Sequence, residues 1–255
     1  GHVALHTPIH TYLPELPEKW ADSVTVHQLL THTDGIVELN KPLAFRPGSR
    51  FAYSQIGYEL LAAIAAQTSG QSFAQLSGEL FRQCAMKSTF HPNVKKYKKL
   101  VKGYTEQPDG TLSFETQSLE NYAAAGSFIS TARDLVRWNM CLHNGKLLAD
   151  STFRLMTTIY STRQHPIFGP VDYGYGITVS TTDSLVQLGQ TGLAPGFVSM
   201  NFYYPATGTS VIMLENIVWT PEDIKKTFFY HTQLLNIVRE SLRHTVPGTG
   251  EMSPK

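Results

Sequence analysis

From Tyr173 onward the chain carries four short segments rich in β-branched and aromatic residues: Tyr173–Ser180, Ser184–Gln190, Phe197–Tyr204 and Thr209–Glu215. The links between them are a few residues long and hold turn chemistry, Thr181-Thr182-Asp183 and Pro205-Ala206-Thr207-Gly208 among them. Links this short join antiparallel neighbours, because a parallel pair needs a crossover of about a dozen residues or more. A helix should follow. Thr220-Pro221-Glu222-Asp223 reads as an N-cap, a proline at the first helical position and acids in the first turn. Ile224, Phe228, Leu235, Ile237, Val238 and Leu242 form a stripe able to cover one face of the sheet.

The N-terminal half reads as mostly helical. Thr25-Val26-His27-Gln28 and Ser72-Phe73-Ala74-Gln75 are capping boxes, in which hydroxyl and amide satisfy each other's free backbone N–H groups. The first predicts a helix that Gly35 can stop, and the second a helix reaching about Cys84. Between them Gly57 to Thr68 is apolar nearly all round and ends at Gly70, which predicts a buried helix. Thr131 caps a helix running to about His143, stopped by Asn144-Gly145. Residues 88 to 120 read as irregular chain or a short hairpin, and the Pro/Gly/Ser-rich tail after His244 as frayed.

The 255 residues are enough to bury a sizeable core, and 42% hydrophobic with 11% aromatic content excludes disorder. Charged residues make up 16% and the net charge is +1, so the global basic field of a nucleic-acid binder is lacking. No run approaches the roughly 18 apolar residues of a membrane span. Cys84 and Cys141 are too few for a disulfide framework; whether they pair stays open, with two buried thiols the simpler reading. Lys95, Lys96, Lys98, Lys99 and Lys102 read as a solvated loop, or as a contact for an anionic partner. His2, His6 and His10 recur at helical spacing, but Pro8 and Pro14 argue against a helix that would gather them on a metal. His27 and His32 read as structural or surface histidines. The opening Gly1-His2-Val3-Ala4-Leu5 is neither a signal peptide nor an initiator Met and reads like the middle of a longer chain.

Phosphate loops, H-E-x-x-H, C-x-x-C and G-x-S-x-G are all missing from the sequence. Two segments carry candidate chemistry. In the first, the turn Pro47-Gly48-Ser49 delivers Tyr53, Ser54 and Gln55 just ahead of the buried helix. A tyrosine hydroxyl can act as a general base if nearby cations lower its pKa, and an amide can orient a carbonyl. Taken on this segment alone, a packing tyrosine is the simpler reading of Tyr53. In the second, Gly189 and Gly192 flank Gln190-Thr191 at a strand end, and Pro195-Gly196 turns into the next strand. Glycine lets a ligand approach the backbone, although a tight hairpin without a ligand has the same signature.

Taken in order, these segments resemble the serine β-lactamase-like family of class C β-lactamases, D-Ala-D-Ala carboxypeptidases and related esterases. Thr11-Tyr12-Leu13-Pro14-Glu15 is similar to the stretch after the family's nucleophile helix. Leu29-Leu30-Thr31-His32-Thr33-Asp34-Gly35 resembles L-L-T-H-T-S-G, and Phe51 to Tyr58 resembles F-x-Y-S-N-x-G-Y. Ala124 to Leu135 is similar to A-G-G-L-x-S-T-A-x-D-L, and Gln190-Thr191-Gly192 lies where the family has K-T-G or H-x-G. The resemblance covers nearly the whole chain. It implies an α+β fold, an antiparallel sheet flanked by helices with an inserted, mostly helical domain, and a site between the two regions. The sheet region would comprise residues 1–14 and 125–245, the helical region 15–124 and a flexible tail 246–255.

The implied reaction is acyl transfer: a serine of S-x-x-K attacks an ester or amide, and water releases the acyl-enzyme. The resemblance makes Tyr53 the general base, the backbone N–H of Leu193 an oxyanion donor, and Gln55, Gln190, Thr191 and Gly192 substrate contacts. Substrates would be peptidoglycan-like peptides, β-lactams or small esters. No cofactor, metal or nucleic acid is implied, oligomeric state stays open, and the family's usual compartment is the cell envelope or periplasm. Three departures stand out. No serine here is followed by Lys three positions on, so the nucleophile is expected upstream of Gly1 and the fragment alone is expected to be inactive. Gln55 replaces Asn and shifts the amide by about a bond length. Gln190 replaces Lys or His, which removes a possible cation near Tyr53 and weakens capture of a carboxylate. The substitutions also fit a non-catalytic relative that binds peptides or a protein partner in the same cleft.

Overall fold

A computed structural model describes residues 2–93, 99–181, 185–243 and 245. Lys95, Lys96, Lys98, the Thr182-Asp183 part of the expected turn, and the tail from residue 246 lie outside the described residues. In chain order the helices are α1 (Val26–Leu30), α2 (Gln55–Ser69), α3 (Phe73–Gln83), α4 (Ala132–His143), α5 (Asp150–Thr157), α6 (Ile224–Thr227) and α7 (Phe229–Arg243). The strands are β1 (Tyr104–Glu106), β2 (Leu112–Phe114), β3 (Ser161–His165), β4 (Gly169–Tyr173), β5 (Thr178–Ser180), β6 (Gln187–Ala194), β7 (Phe197–Tyr204), β8 (Thr209–Glu215) and β9 (Ile217–Val218). The fold is α+β with antiparallel strands and helices, as expected. Two compact units form, Gly1–Leu100 with Thr116–Ile177, and Val101–Glu115 with Thr178–Lys255. These packing boundaries differ from the sequence division into residues 1–14 with 125–245 and 15–124, which stays a reading of the sequence.

The first unit holds α1 to α5 and the β3–β4 hairpin. Both capping boxes form, Thr25 with Gln28 and Ser72 with Gln75, and Thr131 caps α4 as its spacing predicts. Gly70 closes α2 in the left-handed conformation, which a glycine adopts without a Cβ penalty. The expectation that Gly35 stops α1 is corrected: the helix ends at Leu30, and the chain turns at His32, whose φ of 53° is left-handed. Nor is α2 buried all round, since Glu59, Ala63 and Gln67 are exposed one turn apart while Gly57, Leu60 and Ile64 face the core. That core packs Leu60 and Ile64 against Ile9, Val24, Val26, Leu29 and Ile36. A second cluster joins Phe81 and Met86 to Cys84 and Cys141. The cysteines form a disulfide, which corrects the two-thiol reading and ties the end of α3 to α4.

In the second unit β5, β6, β7 and β8 run in that order, each antiparallel to the next. The strand expected over Tyr173–Ser180 splits into β4 and β5, because Gly174 and Gly176 interrupt it. A Cβ on Gly174 would run into the carbonyl of Met156, and Gly176 has φ +69°. Helix α7 packs on β8 with Leu235 and Leu242 buried, but Ile237 is 65% exposed and does not belong to the covering stripe. The single helix expected after Thr220 is split: Asp223, not Thr220, caps α6, accepting hydrogen bonds from the N–H groups of Lys225 and Lys226, and α7 begins separately at Phe229. Arg239 on α7 and Tyr204 on β7 both donate to the Gln187 side chain on β6.

Candidate active site

His32 organises the Tyr53 region. The chain leaves α1 at Thr31, whose hydroxyl donates to the His27 carbonyl at 2.9 Å, and turns sharply at His32. The returning strand of chain is pinned to this turn twice. Ala52 N–H donates to the His32 carbonyl at 2.8 Å, and Ser54 N–H donates to His32 Nδ1 at 3.1 Å. Ser54 then caps α2 by accepting from Gly57 N–H at 3.0 Å. Tyr53 and Gln55 flank this pinned serine, and both side chains are exposed, Tyr53 by 55%.

An Nδ1 that accepts an amide N–H carries no proton, so the ring proton sits on Nε2, which faces the Tyr173 hydroxyl at 3.3 Å. Burial, with Arg163 adding to it, lowers the His32 pKa to about 4, and the ring is therefore neutral at pH 7. Its faces and edges meet Tyr53 at 4.6 Å, Tyr58 at 4.8 Å, Tyr173 at 5.2 Å and Phe51 at 5.4 Å between ring centroids. Tyr58 donates to the Leu30 carbonyl at 3.0 Å, and burial pushes its phenol well above the ordinary range. The Tyr53 phenol is raised by its partial burial, while Arg163 pulls in the opposite direction.

Asp34 closes the region from below α2. Its Oδ1 accepts Ile36 N–H at 2.8 Å, whereas Oδ2 is buried with no hydrogen-bond partner among the described residues. A Cβ on Gly57 would stand 3.1 Å from that oxygen, so glycine at this position makes room for the carboxyl group. Burial raises the Asp34 pKa to about 6.

The β3–β4 hairpin meets the same turn. Ser161 Oγ donates to the Thr31 carbonyl at 2.9 Å and lies opposite Tyr173 in the ladder, while Arg163 lies opposite Val171. Alternation along β3 therefore puts Ser161, Arg163 and His165 on one face, with Arg163 diagonal to Tyr173.

Gln190, Thr191, Gly192 and Leu193 lie together on β6 in the second unit, opposite Asn201, Met200, Ser199 and Val198 of β7. On its other side β6 pairs with β5 only over Gln187–Gly189. Alternate N–H groups beyond Gly189 thus face a side that carries no strand among the described residues. Gly189 has φ +149°, and a Cβ there would run into the Asn201 carbonyl. At Gly192 a Cβ would lie 2.5 Å from Ser199 Oγ. At Gly189 the close packing of β6 on β7 requires glycine, whereas at Gly192 a Cβ would only have to displace the Ser199 hydroxyl.

A model of the family described as Beta-lactamase matches residues 1–233. The chain belongs to this family. PbpX of Bacillus subtilis (strain 168), which carries the name of a penicillin-binding protein, is 26% identical over 237 residues, covering 85% of this chain and 56% of PbpX. The match spans 56% of PbpX and 52% of a relative from Alkalihalophilus pseudofirmus, about half the length of each. D-amino acid amidase from Ochrobactrum anthropi SV3 superposes with a TM-score of 0.78 at 22% identity, over 94% of this chain and 78% of the amidase. A D-stereospecific amidohydrolase from Streptomyces sp. superposes at 0.75 and 22% identity, over 85% and 76%. These two likenesses establish the shared fold.

Sequence reasoning left His32 a structural or surface histidine, and the structure buries it as the anchor of the Tyr53 segment. It missed Arg163 and Tyr173. Their signal was the alternation Ser161-Thr162-Arg163-Gln164-His165, which reads as a strand and places an arginine on its inner face. Among the described residues no group of His, Cys, Asp and Glu is arranged to hold a metal, His2, His6 and His10 included.

Proposed function

We propose that this chain carries the base-bearing and substrate-binding parts of a β-lactamase-like serine hydrolase that acts on an ester or amide through an acyl-enzyme. The observation that carries this reading is the Tyr53 segment, fixed beside a neutral, buried His32 at the start of α2. In this reaction a serine Oγ attacks the carbonyl carbon while Tyr53 Oη takes its proton. The tetrahedral oxyanion is held by the Leu193 backbone N–H and the nucleophile's own N–H. Tyr53 returns the proton to the leaving group, and water, deprotonated in the same way, releases the acyl group. Thr191 and Gln190 hold the substrate's carboxylate or acyl side, and Gln55 orients its amide. Beyond Gly189 that side of β6 carries no strand among the described residues, which supports the role given to Leu193.

No serine within residues 1–255 starts an S-x-x-K, so we place the nucleophile and its lysine in sequence preceding this chain. The test is to treat the gene product that includes the upstream sequence with a fluorophosphonate and with a fluorescent penicillin. The reading expects rapid covalent labelling at a serine of an upstream S-x-x-K. Absence of any such motif within a few tens of residues upstream, or a protein that resists labelling, would contradict it. That second result would favour a non-catalytic relative binding peptides or a protein partner, the reading that Gln55 and Gln190 support.

A further inference from the structure

Arg163 stands out because it is a cation without a visible counter-ion. Its guanidinium has no carboxylate within ion-pair distance among the described residues, whose Lys and Arg ion pairs are Lys41–Glu38, Arg82–Glu79 and Arg137–Asp134. Its Nε is buried and makes no hydrogen bond among them. Leaving a half-buried guanidinium unpaired is costly, which calls for a compensating role. The hairpin shows where that charge points. Ser161 and Tyr173 share the Arg163 face, and both bond to the turn at Thr31 and His32, over which the Tyr53 ring lies.

We propose that Arg163 is a positioning residue that supplies a positive charge to the Tyr53 site and so favours the ionised hydroxyl of Tyr53. This rests on the reading of Tyr53 as the general base. The position at which family resemblance expects Lys or His holds Gln190, so residue 190 brings no charge, and Arg163 acts beside the lysine that we place upstream of this chain. The titratable groups around Tyr53 are His32 from the turn after α1, Tyr58 from α2, Tyr173 from β4 and Arg163 from β3. Asp34 acts on Tyr58, and His165 on β3 feels Arg163. His32 and His165 are neutral above pH 5, since burial holds both at about 4. Asp34 becomes an anion above about pH 6 and works against a phenolate. Arg163 is thus the permanent cation of the group. A nearby opposite charge favours the charged form of its neighbour, which is the direction in which Arg163 acts on both Tyr53 and Tyr173. Because burial raises the Tyr53 phenol, only the fraction of molecules whose Tyr53 Oη has lost its proton to solvent can take one from the attacking serine; Arg163 enlarges that fraction and itself exchanges no proton.

The test is a titration of Tyr53 in the full-length protein labelled with 13Cζ-tyrosine, its resonance assigned by Tyr53→Phe. Arg163→Gln should weaken Tyr53 as an acid by roughly three- to tenfold. The alkaline rise of fluorophosphonate labelling should move to higher pH by the same factor, and Arg163→Lys should restore most of both. Thermal melts of the two variants separate a folding defect from a charge effect. An unchanged Tyr53 titration in a folded Arg163→Gln protein would overturn the proposal. If the titration moves while Tyr53→Phe labels at the wild-type rate, the charge coupling stands and the base assignment alone fails.

Discussion

Tyr53 is held by side chains drawn from three separated stretches of chain, residues 31–34, 51–58 and 161–173, whereas Gln190 to Leu193 are held by one continuous backbone ladder on β7. In the first region a buried imidazole collects the hydrogen bonds and ring contacts, and the backbone follows it. In the second the backbone pairs by itself, and the side chains only have to stay out of the way, which is why glycine occurs at 189. The two regions should therefore fail differently. Side-chain truncation should damage the first, and added Cβ atoms should damage the second.

The largest expected effect is that of His32→Ala. It removes a fully buried ring, two hydrogen bonds and its aromatic neighbours, and should cost about 3 kcal/mol of unfolding free energy in urea. A loss below about 1 kcal/mol would break the contrast at its root. Gly189→Ala comes next, at about 2 kcal/mol or more, because a Cβ would meet the Asn201 carbonyl at a left-handed backbone position. A neutral result there would mean that β6 can shift on β7.

Acid should also separate the regions. His32, His143 and His165 in the first unit and His231 in the second all have pKa values lowered to about 4 from 6.5, chiefly by burial. Each favours the neutral form in the folded state, so its contribution to stability is complete above pH 6.5 and is lost as pH falls toward 4. Asp34 has the opposite sign. Its pKa is raised to about 6, so its contribution is complete below pH 3.8 and lost as pH rises through 6. Three histidines against one carboxyl group leave the first unit the more acid-sensitive. Hydrogen exchange compared at pH 7.5 and pH 5 should show protection falling more around α1 and the start of α2 than along β6 and β7. Equal losses would contradict the assignment.

Gln190→Lys is expected to be the mildest change. The position lies on an already paired strand, so stability should move by less than about 0.5 kcal/mol. In the labelling-competent protein it should tighten binding of a carboxylate-bearing probe relative to its neutral ester. Equal affinities would show that residue 190 does not reach the carboxylate.

How far each region could be foreseen follows from the same contrast. The strands of the second unit and the capping boxes were legible, because period-two patterning and hydroxyl–amide pairs act over a few residues. The break at Gly174–Gly176 was not, since it depends on a distant carbonyl, that of Met156. Around Tyr53 the motifs pointed to the right segments. The pinning of Ser54 by His32 and the approach of Arg163 depend instead on contacts across 22 residues and on a hairpin more than 100 residues away. The helix start expected at Thr220 lies instead at Asp223, the cap of α6, for a comparable reason, because the Thr220 hydroxyl and N–H are taken by Glu106. Local chemistry leaves a readable pattern. A site assembled from distant side chains leaves only its parts.

The most direct test of the central claim is the rate constant for fluorophosphonate labelling of the full-length protein, compared between wild type and Tyr53→Phe. The substitution removes one hydroxyl from a side chain that is more than half exposed, so the fold should be untouched. With Tyr53 as general base the rate should fall by roughly 10²- to 10⁴-fold. A Tyr53→Phe protein that folds and labels at the wild-type rate would contradict the account.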